Sequence, residues 1–228
     1  MYERTDPLVI IGPEPAGPGR GILVFGAPRG GTSMTAGVMR IIGVDMGARQ
    51  SEANNEDLDI QEARGPVEWL ADPASLDYAA ALAHMRPVIE RRARGGNVWG
   101  WKDPHGALYA RDVVPMLPTA RMVIVMRDPA AAAMRTSMLT GTPVTTALTD
   151  VLALLTRALD VLADPPCPVA LVSYEKALVR PERFVEQIAA FCGLEPGPEQ
   201  AREAQAFISP ERGHGATKLP GWPRQGAL

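Results

Sequence analysis

The sequence predicts an α/β domain built on a mainly parallel sheet. Short apolar runs at 22–25, 122–126 and 168–172 lack polar alternation, as strands covered on both faces do. Helical patterns separate and follow them, the longest over 144–162. A glycine-rich turn, GAPRGG at 26–31, joins the first strand to a helix that Thr32 or Ser33 is expected to cap.

At 228 residues and 46% hydrophobic content, the chain is long and apolar enough for one domain with a sizeable core. Residues 1–20, with four prolines among small residues, read as an irregular lead-in, although Val9, Ile10 and Ile11 could add a short edge strand. Residues 21–228 read as the single domain. A net charge of −3 gives no reason to expect nucleic acid or an anionic membrane as partner. Cys167 and Cys192 lack metal-ligand spacing, so no metal is expected. No secretory signal or membrane-length apolar run is visible, which favours a cytoplasmic setting. Abundant alanine, glycine, proline and arginine suggest a bacterial source.

The first strand, turn and helix form a device for holding phosphate or sulfate. Backbone N–H groups and the positive end of the helix dipole converge on one spot. Against the pattern G-x-x-x-x-G-K-[ST], Gly26 and Gly31 fit, but Thr32 stands where an ATPase or GTPase needs lysine. The positive charge sits earlier, on Arg29.

Next, 44–61 is polar and acidic, with Glu52, Glu56, Asp57 and Asp59 crowded together. Its plain reading is a solvated loop; its functional reading is a wall of the ligand crevice beyond the strand ends. Apolar positions over 73–94 suggest one or two amphipathic helices, kinked or divided at Pro87. A short strand at 97–101 delivers Lys102, Asp103, Pro104 and His105, with a helix expected over 108–116. The apolar strand at 122–126 ends in Arg127-Asp128-Pro129, and 130–140 can continue as helix. After 144–162 and the strand at 168–172 come Tyr174 and a last amphipathic helix carrying Phe184, Ile188 and Phe191.

Taken together these landmarks resemble sulfotransferases that use 3′-phosphoadenosine 5′-phosphosulfate (PAPS), notably the bacterial and tyrosylprotein types. PRGGTS at 28–33 resembles the P-[KR]-S-G-T-[ST] loop, with Gly30 in the serine position. WKDPH at 101–105 is similar to the K-D-P turn, RDP at 127–129 to the R-[DN]-P strand end, and YEKAL at 174–178 to Y-E-x-L. The resemblance spans roughly 21–213 and implies a three-layer αβα sandwich with a mainly parallel sheet and a P-loop-like fold. It implies PAPS as cofactor and PAP as product, held by Gly30, Gly31, Thr32, Ser33 and Arg127. The 3′-phosphate would meet Arg127 and either Ser137 or Arg135, which stands where the family has serine. Tyr174 is a cofactor contact or a structural tyrosine. Arg29 and Lys102 would stabilise charge on the transferring group. The acceptor's base would be Glu56 first, with Glu52 behind it in the same loop. His105 is second, on the separate ground that a helix N-terminus would keep its ring neutral. The acceptor would be a small molecule, carbohydrate or peptide. A P-loop small-molecule kinase and a catalytically silent nucleotide-binding module of the same fold are the alternatives. Arg212, Gly213, His214 and Lys218 resemble a C-terminal loop that closes over the nucleotide.

Overall fold

The structure is a computed structural model that describes residues 5–15, 20–51 and 54–208. Glu52 and the tail beyond 208 lie outside the described residues. Five strands, β1 (Leu8–Ile11), β2 (Arg20–Phe25), β3 (Trp99–Lys102), β4 (Arg121–Met126) and β5 (Val169–Ser173), form one sheet in the order β1-β5-β4-β2-β3. β2 pairs in parallel with both β3 and β4, and β4 in parallel with β5. β1 closes one edge antiparallel to β5, with Leu8 opposite Val172. Part of the expected lead-in is therefore sheet, because Leu8 buries against the core that Val172 also enters.

Period-two alternation sorts the strand side chains onto two faces. Ile22, Val24, Val123, Val125, Ala170 and Val172 enter one core with α1 (Thr32–Ile41), α8 (Pro181–Cys192) and α9 (Pro198–Phe207). Leu23, Phe25, Trp99, Trp101, Met122, Ile124 and Val169 enter the other with α3 (Leu76–Ala93), α4 (Ala110–Val113) and part of α6 (Val144–Ala163). Helices on both faces of a mainly parallel sheet make the three-layer αβα sandwich that the sequence predicts. The remaining helices, α2 (Leu58–Arg64), α5 (Pro129–Thr140) and α7 (Tyr174–Val179), start near strand C-terminal ends or line them.

Two local expectations change. Pro87 does not divide α3, because Tyr78, Ala81, Met85 and Ile89 form a continuous buried stripe across the lost hydrogen bond. The helix expected over 108–116 is instead a 3-10 turn at Gly106–Leu108, the one-turn α4 and a second 3-10 turn at Val114–Met116 that contains Pro115. Among the described residues no helix is long and apolar enough to cross a membrane, and no cluster could hold a metal.

Both cysteines are buried and free. Burial pushes both thiols up to about 12, at Cys192 despite the nearby Arg121 charge. Because the thiolate is the reactive form, a disulfide reagent at pH 8 should label neither residue in the native protein and both after denaturation. Rapid native labelling of either would contradict this packing.

Candidate functional site

Four parallel strands put four C-terminal ends on one sheet edge, and each end feeds a loop noted in the sequence. β2 gives 26–31, β3 gives Asp103 and His105, β4 gives Arg127, and β5 gives Tyr174. β3 and β4 flank β2 on opposite sides, so the connections diverge there and leave a crevice.

The first loop is shaped by close approach. A Cβ at Gly26 would sit 2.3 Å from the Val125 carbonyl oxygen, so only glycine lets β2 leave alongside β4. Gly30 N–H donates to the Ala27 carbonyl at 2.9 Å, and a Cβ there would lie 2.6 Å from the same oxygen. Glycine in the family's serine position is thus fitted to this turn. Arg29 has φ 62°, a left-handed conformation that costs a non-glycine residue about 1–2 kcal/mol. The α1 N-cap is Gly31, φ 95°, with no side-chain cap bond, which corrects the expectation of Thr32 or Ser33. Thr32 is buried and lies one residue too far in to cap. No acidic side chain occupies the first turn of α1, so the dipole's positive end meets no carboxylate of its own helix.

Arginines gather around this loop. Arg127 Nη1 donates to the Arg29 carbonyl at 2.9 Å, and its guanidinium lies 4.8 Å from the Tyr174 ring centre. Its Nε is shut off from solvent with no acceptor among the described residues. Arg135, on α5, has its pKa lowered by burial first and then by the charges of Arg127 and Arg29. Three like charges within mutual reach describe a place for an anion. Ser137 is also on α5, but two residues further on it points about 200° around the helix from Arg135. Of the two, Arg135 is the one facing the other arginines. Asp128 caps α5 by accepting the Ala130 and Ala131 N–H groups at 2.8 and 3.4 Å, and its own N–H donates to Glu175.

Lys102 and Glu56 meet across the crevice. Lys102 is 3% exposed, and its Nζ donates to Glu56 Oε1 at 2.9 Å and to the Asn54 carbonyl at 3.1 Å. Burial lowers the lysine pKa, and the Glu56 charge offsets part of that effect. Gln61 Nε2 donates to the other Glu56 oxygen at 3.2 Å. Asn55 Nδ2 donates to the Ser33 carbonyl at 3.0 Å, tying the Glu56 loop to the start of α1. The other carboxylates of this segment hold structure. Asp57 caps α2 and pairs with Arg92, while Asp59 pairs with Arg49 at 2.8 Å.

His105 precedes only the three-residue 3-10 turn, too short for a substantial dipole. Its electrostatic neighbour is a carboxylate instead: Nδ1 lies 3.6 Å from Asp103 Oδ1. Asp103 itself has no assigned role in the sequence reading, yet it is a hub. Oδ2 accepts from Tyr109 Oη at 3.0 Å and lies 2.9 Å from Arg64 Nε, and Oδ1 accepts the His105 backbone N–H at 2.9 Å. Asp103 was visible within the K-D-P turn; Arg64 and Gln61, three residues apart on α2, carried no signal of their own.

A family model described as "Sulfotransferase family" matches residues 21–198. Solved structures of similar fold include a mouse sulfotransferase, SULT7A1, complexed with PAP (12% identity, TM-score 0.53, 83% of this chain and 65% of that one). The sulfotransferase domain of the Synechococcus PCC 7002 olefin synthase is another (18%, 0.54, 84% and 79%). So is sulfotransferase STF1 of Mycobacterium tuberculosis H37Rv (16%, 0.52, 85% and 72%). The chain covers under two thirds of the length of the mouse chain and of a retinol dehydratase, 65% and 64%. No curated protein sequence matches it.

Gly31 makes the loop's geometry testable. A Cβ there would lie 2.2 Å from Tyr174 Cδ2 on a left-handed backbone. Gly31→Ala should cost about 1–3 kcal/mol in urea unfolding. Adding Tyr174→Ala should recover only part, because the backbone strain persists. An unchanged midpoint in the single variant would contradict this packing.

Proposed function

Because the chain belongs to the sulfotransferase family, we propose that it moves a sulfuryl group from PAPS to a hydroxyl, phenol or amine, releasing PAP. The observation that carries this reading is the convergence of Arg29, Arg127 and Arg135 beside an uncapped helix start. The orphaned Arg127 Nε adds a donor that lacks an acceptor among the described residues. These residues fit a nucleotide bearing both a phosphosulfate and a 3′-phosphate. The mouse relative's complex with PAP supports the same donor.

In this reading the amides of Gly31 to Ser33 hold the 5′-phosphosulfate, and Arg127 with Arg135 holds the 3′-phosphate. PAPS supplies an activated sulfuryl group whose leaving phosphate is already anionic. Arg29 and Lys102 stabilise the charge that grows on the sulfuryl and phosphate oxygens. Glu56 takes the acceptor's proton as the new bond to sulfur forms, and PAP departs. Before reaction Lys102 and Glu56 hold one another through the 2.9 Å contact between Nζ and Oε1. His105 is the second choice of base. The acceptor is a small molecule, carbohydrate or peptide hydroxyl, phenol or amine.

Calorimetry with PAP, ATP and GTP tests the donor. PAP should bind well, and Arg127→Ala should weaken it about tenfold or more, the loss expected for a charge-assisted contact. Unchanged PAP affinity in that variant would remove the 3′-phosphate assignment, and tighter ATP than PAP binding would favour a kinase. Transfer of radiolabelled sulfate from PAPS to a panel of acceptors tests the reaction itself.

The base is separable by kinetics. Glu56→Gln should lower turnover by about 10²–10⁴-fold with PAP affinity intact. Near-normal turnover in Glu56→Gln with a comparable loss in His105→Asn would exchange their roles.

A further inference from the structure

Behind the Lys102–Glu56 pair sits a buried guanidinium that the proposed chemistry does not use. Arg64 is 4% exposed and is the last residue of α2. Its Nε lies 2.9 Å from Asp103 Oδ2, but the N–H is not aimed along that line, so the contact is electrostatic. Nε and Nη1 have no hydrogen-bond acceptor among the described residues. A cavity of about 10 Å³ lies between Arg64, Gln61, Ile60, Glu56, Asp57, Lys102 and Asp103, room for a single water. The arginine can therefore satisfy a donor only through such a water or through Asp103.

Asp103 directly follows Lys102 in the chain and directly precedes the turn that carries His105. It faces Arg64 from α2, Lys102 from β3, and His105 and Tyr109 from its own loop, with Glu56 beyond Lys102. Without Arg64, the groups left to answer this buried carboxylate are Lys102 and His105, both candidates for the chemistry. A lysine engaged by Asp103 is withheld from the sulfuryl group, and a histidine engaged by it is withheld as a base.

We propose that Arg64 is a positioning residue: it neutralises Asp103 from behind so that Lys102 and His105 keep their orientations for the acceptor side. The proposal rests on the sulfuryl-transfer reading above. Burial alone pushes the Asp103 carboxyl up, yet His105 and Arg64 outweigh it and hold the group below its ordinary value. Such a depressed carboxylate adds stability above its unfolded pKa, and that stability is lost as pH falls through the folded value. Removing Arg64 raises the folded value, so the loss must begin at higher pH.

The test compares wild type, Arg64→Met, Arg64→Lys, Asp103→Asn and the Arg64→Met/Asp103→Asn double variant. The readouts are PAP affinity, thermal midpoint from pH 4 to 8, and PAPS turnover with 4-nitrophenol, glucosamine and a tyrosine peptide as acceptor probes. Arg64→Met should keep PAP affinity and lose about tenfold or more in kcat. The acid limbs of both turnover and stability should move up by about one pH unit or more. Arg64→Lys should restore both limbs, because it keeps the charge. On the Asp103→Asn background, Arg64→Met should change kcat little further, since the charge it answers is gone. A kcat loss with unmoved acid limbs would reduce Arg64 to packing and overturn the proposal, as would a full further loss on the Asp103→Asn background. If Arg64→Met does not fold, the double variant and Arg64→Lys still decide. A double variant that also fails to fold makes Arg64 structural. Wild-type turnover with normal Arg64→Met kinetics sinks the positioning role alone. No wild-type turnover with any probe sinks the transfer reading, and this role with it.

Discussion

The central strand β2 hydrogen-bonds in parallel to β3 on one side and to β4 on the other, with β5 in parallel beyond β4. Parallel pairing aligns strand directions, so residues more than a hundred positions apart emerge on one edge. Arg29, Lys102, Arg127 and Tyr174 owe their proximity to that alignment rather than to any local signal. The pairing in turn depends on close backbone approach: Gly26 passes the Val125 carbonyl, and Gly100 passes the Ile22 carbonyl at a distance that excludes a Cβ. The two apolar cores hold the sheet from both faces and keep this edge in register.

The electrostatics of the edge divide in two. On one side, Arg29, Arg127 and Arg135 repel one another, relieved in part by the Tyr174 ring and the Arg29 carbonyl. An incoming anion would neutralise them as a set. On the other side, Lys102 and Glu56 form a nearly buried pair backed by the Asp103 hub. Buried pairs of this kind add little net stability, since desolvation offsets attraction. Their worth lies in fixing where charge sits.

Much of the fold was legible. Apolar runs without alternation marked the buried strands, and the glycine turn after the first of them marked the loop that organises the edge. The misreadings were local. Pro87 stays within α3 because tertiary burial of one stripe outweighs a lost hydrogen bond. The helix after His105 breaks into turns, and with it goes the dipole argument for that ring. The cap of α1 falls on Gly31, because the loop needs a left-handed residue exactly where it meets the Tyr174 ring.

By itself the sequence determined which residue types stand at each strand end: an arginine in a glycine turn, lysine before aspartate, arginine before Asp-Pro, and tyrosine after the last strand. Those are local facts, set by strand and turn preferences that act over a few residues. Only the tertiary structure decided that Glu56 meets Lys102, that Arg135 rather than Ser137 faces the other arginines, and that Arg64 stands behind Asp103. Each of those turns on the rotation of a helix or the path of a loop, which is set by packing against the sheet and leaves no periodic trace in the chain.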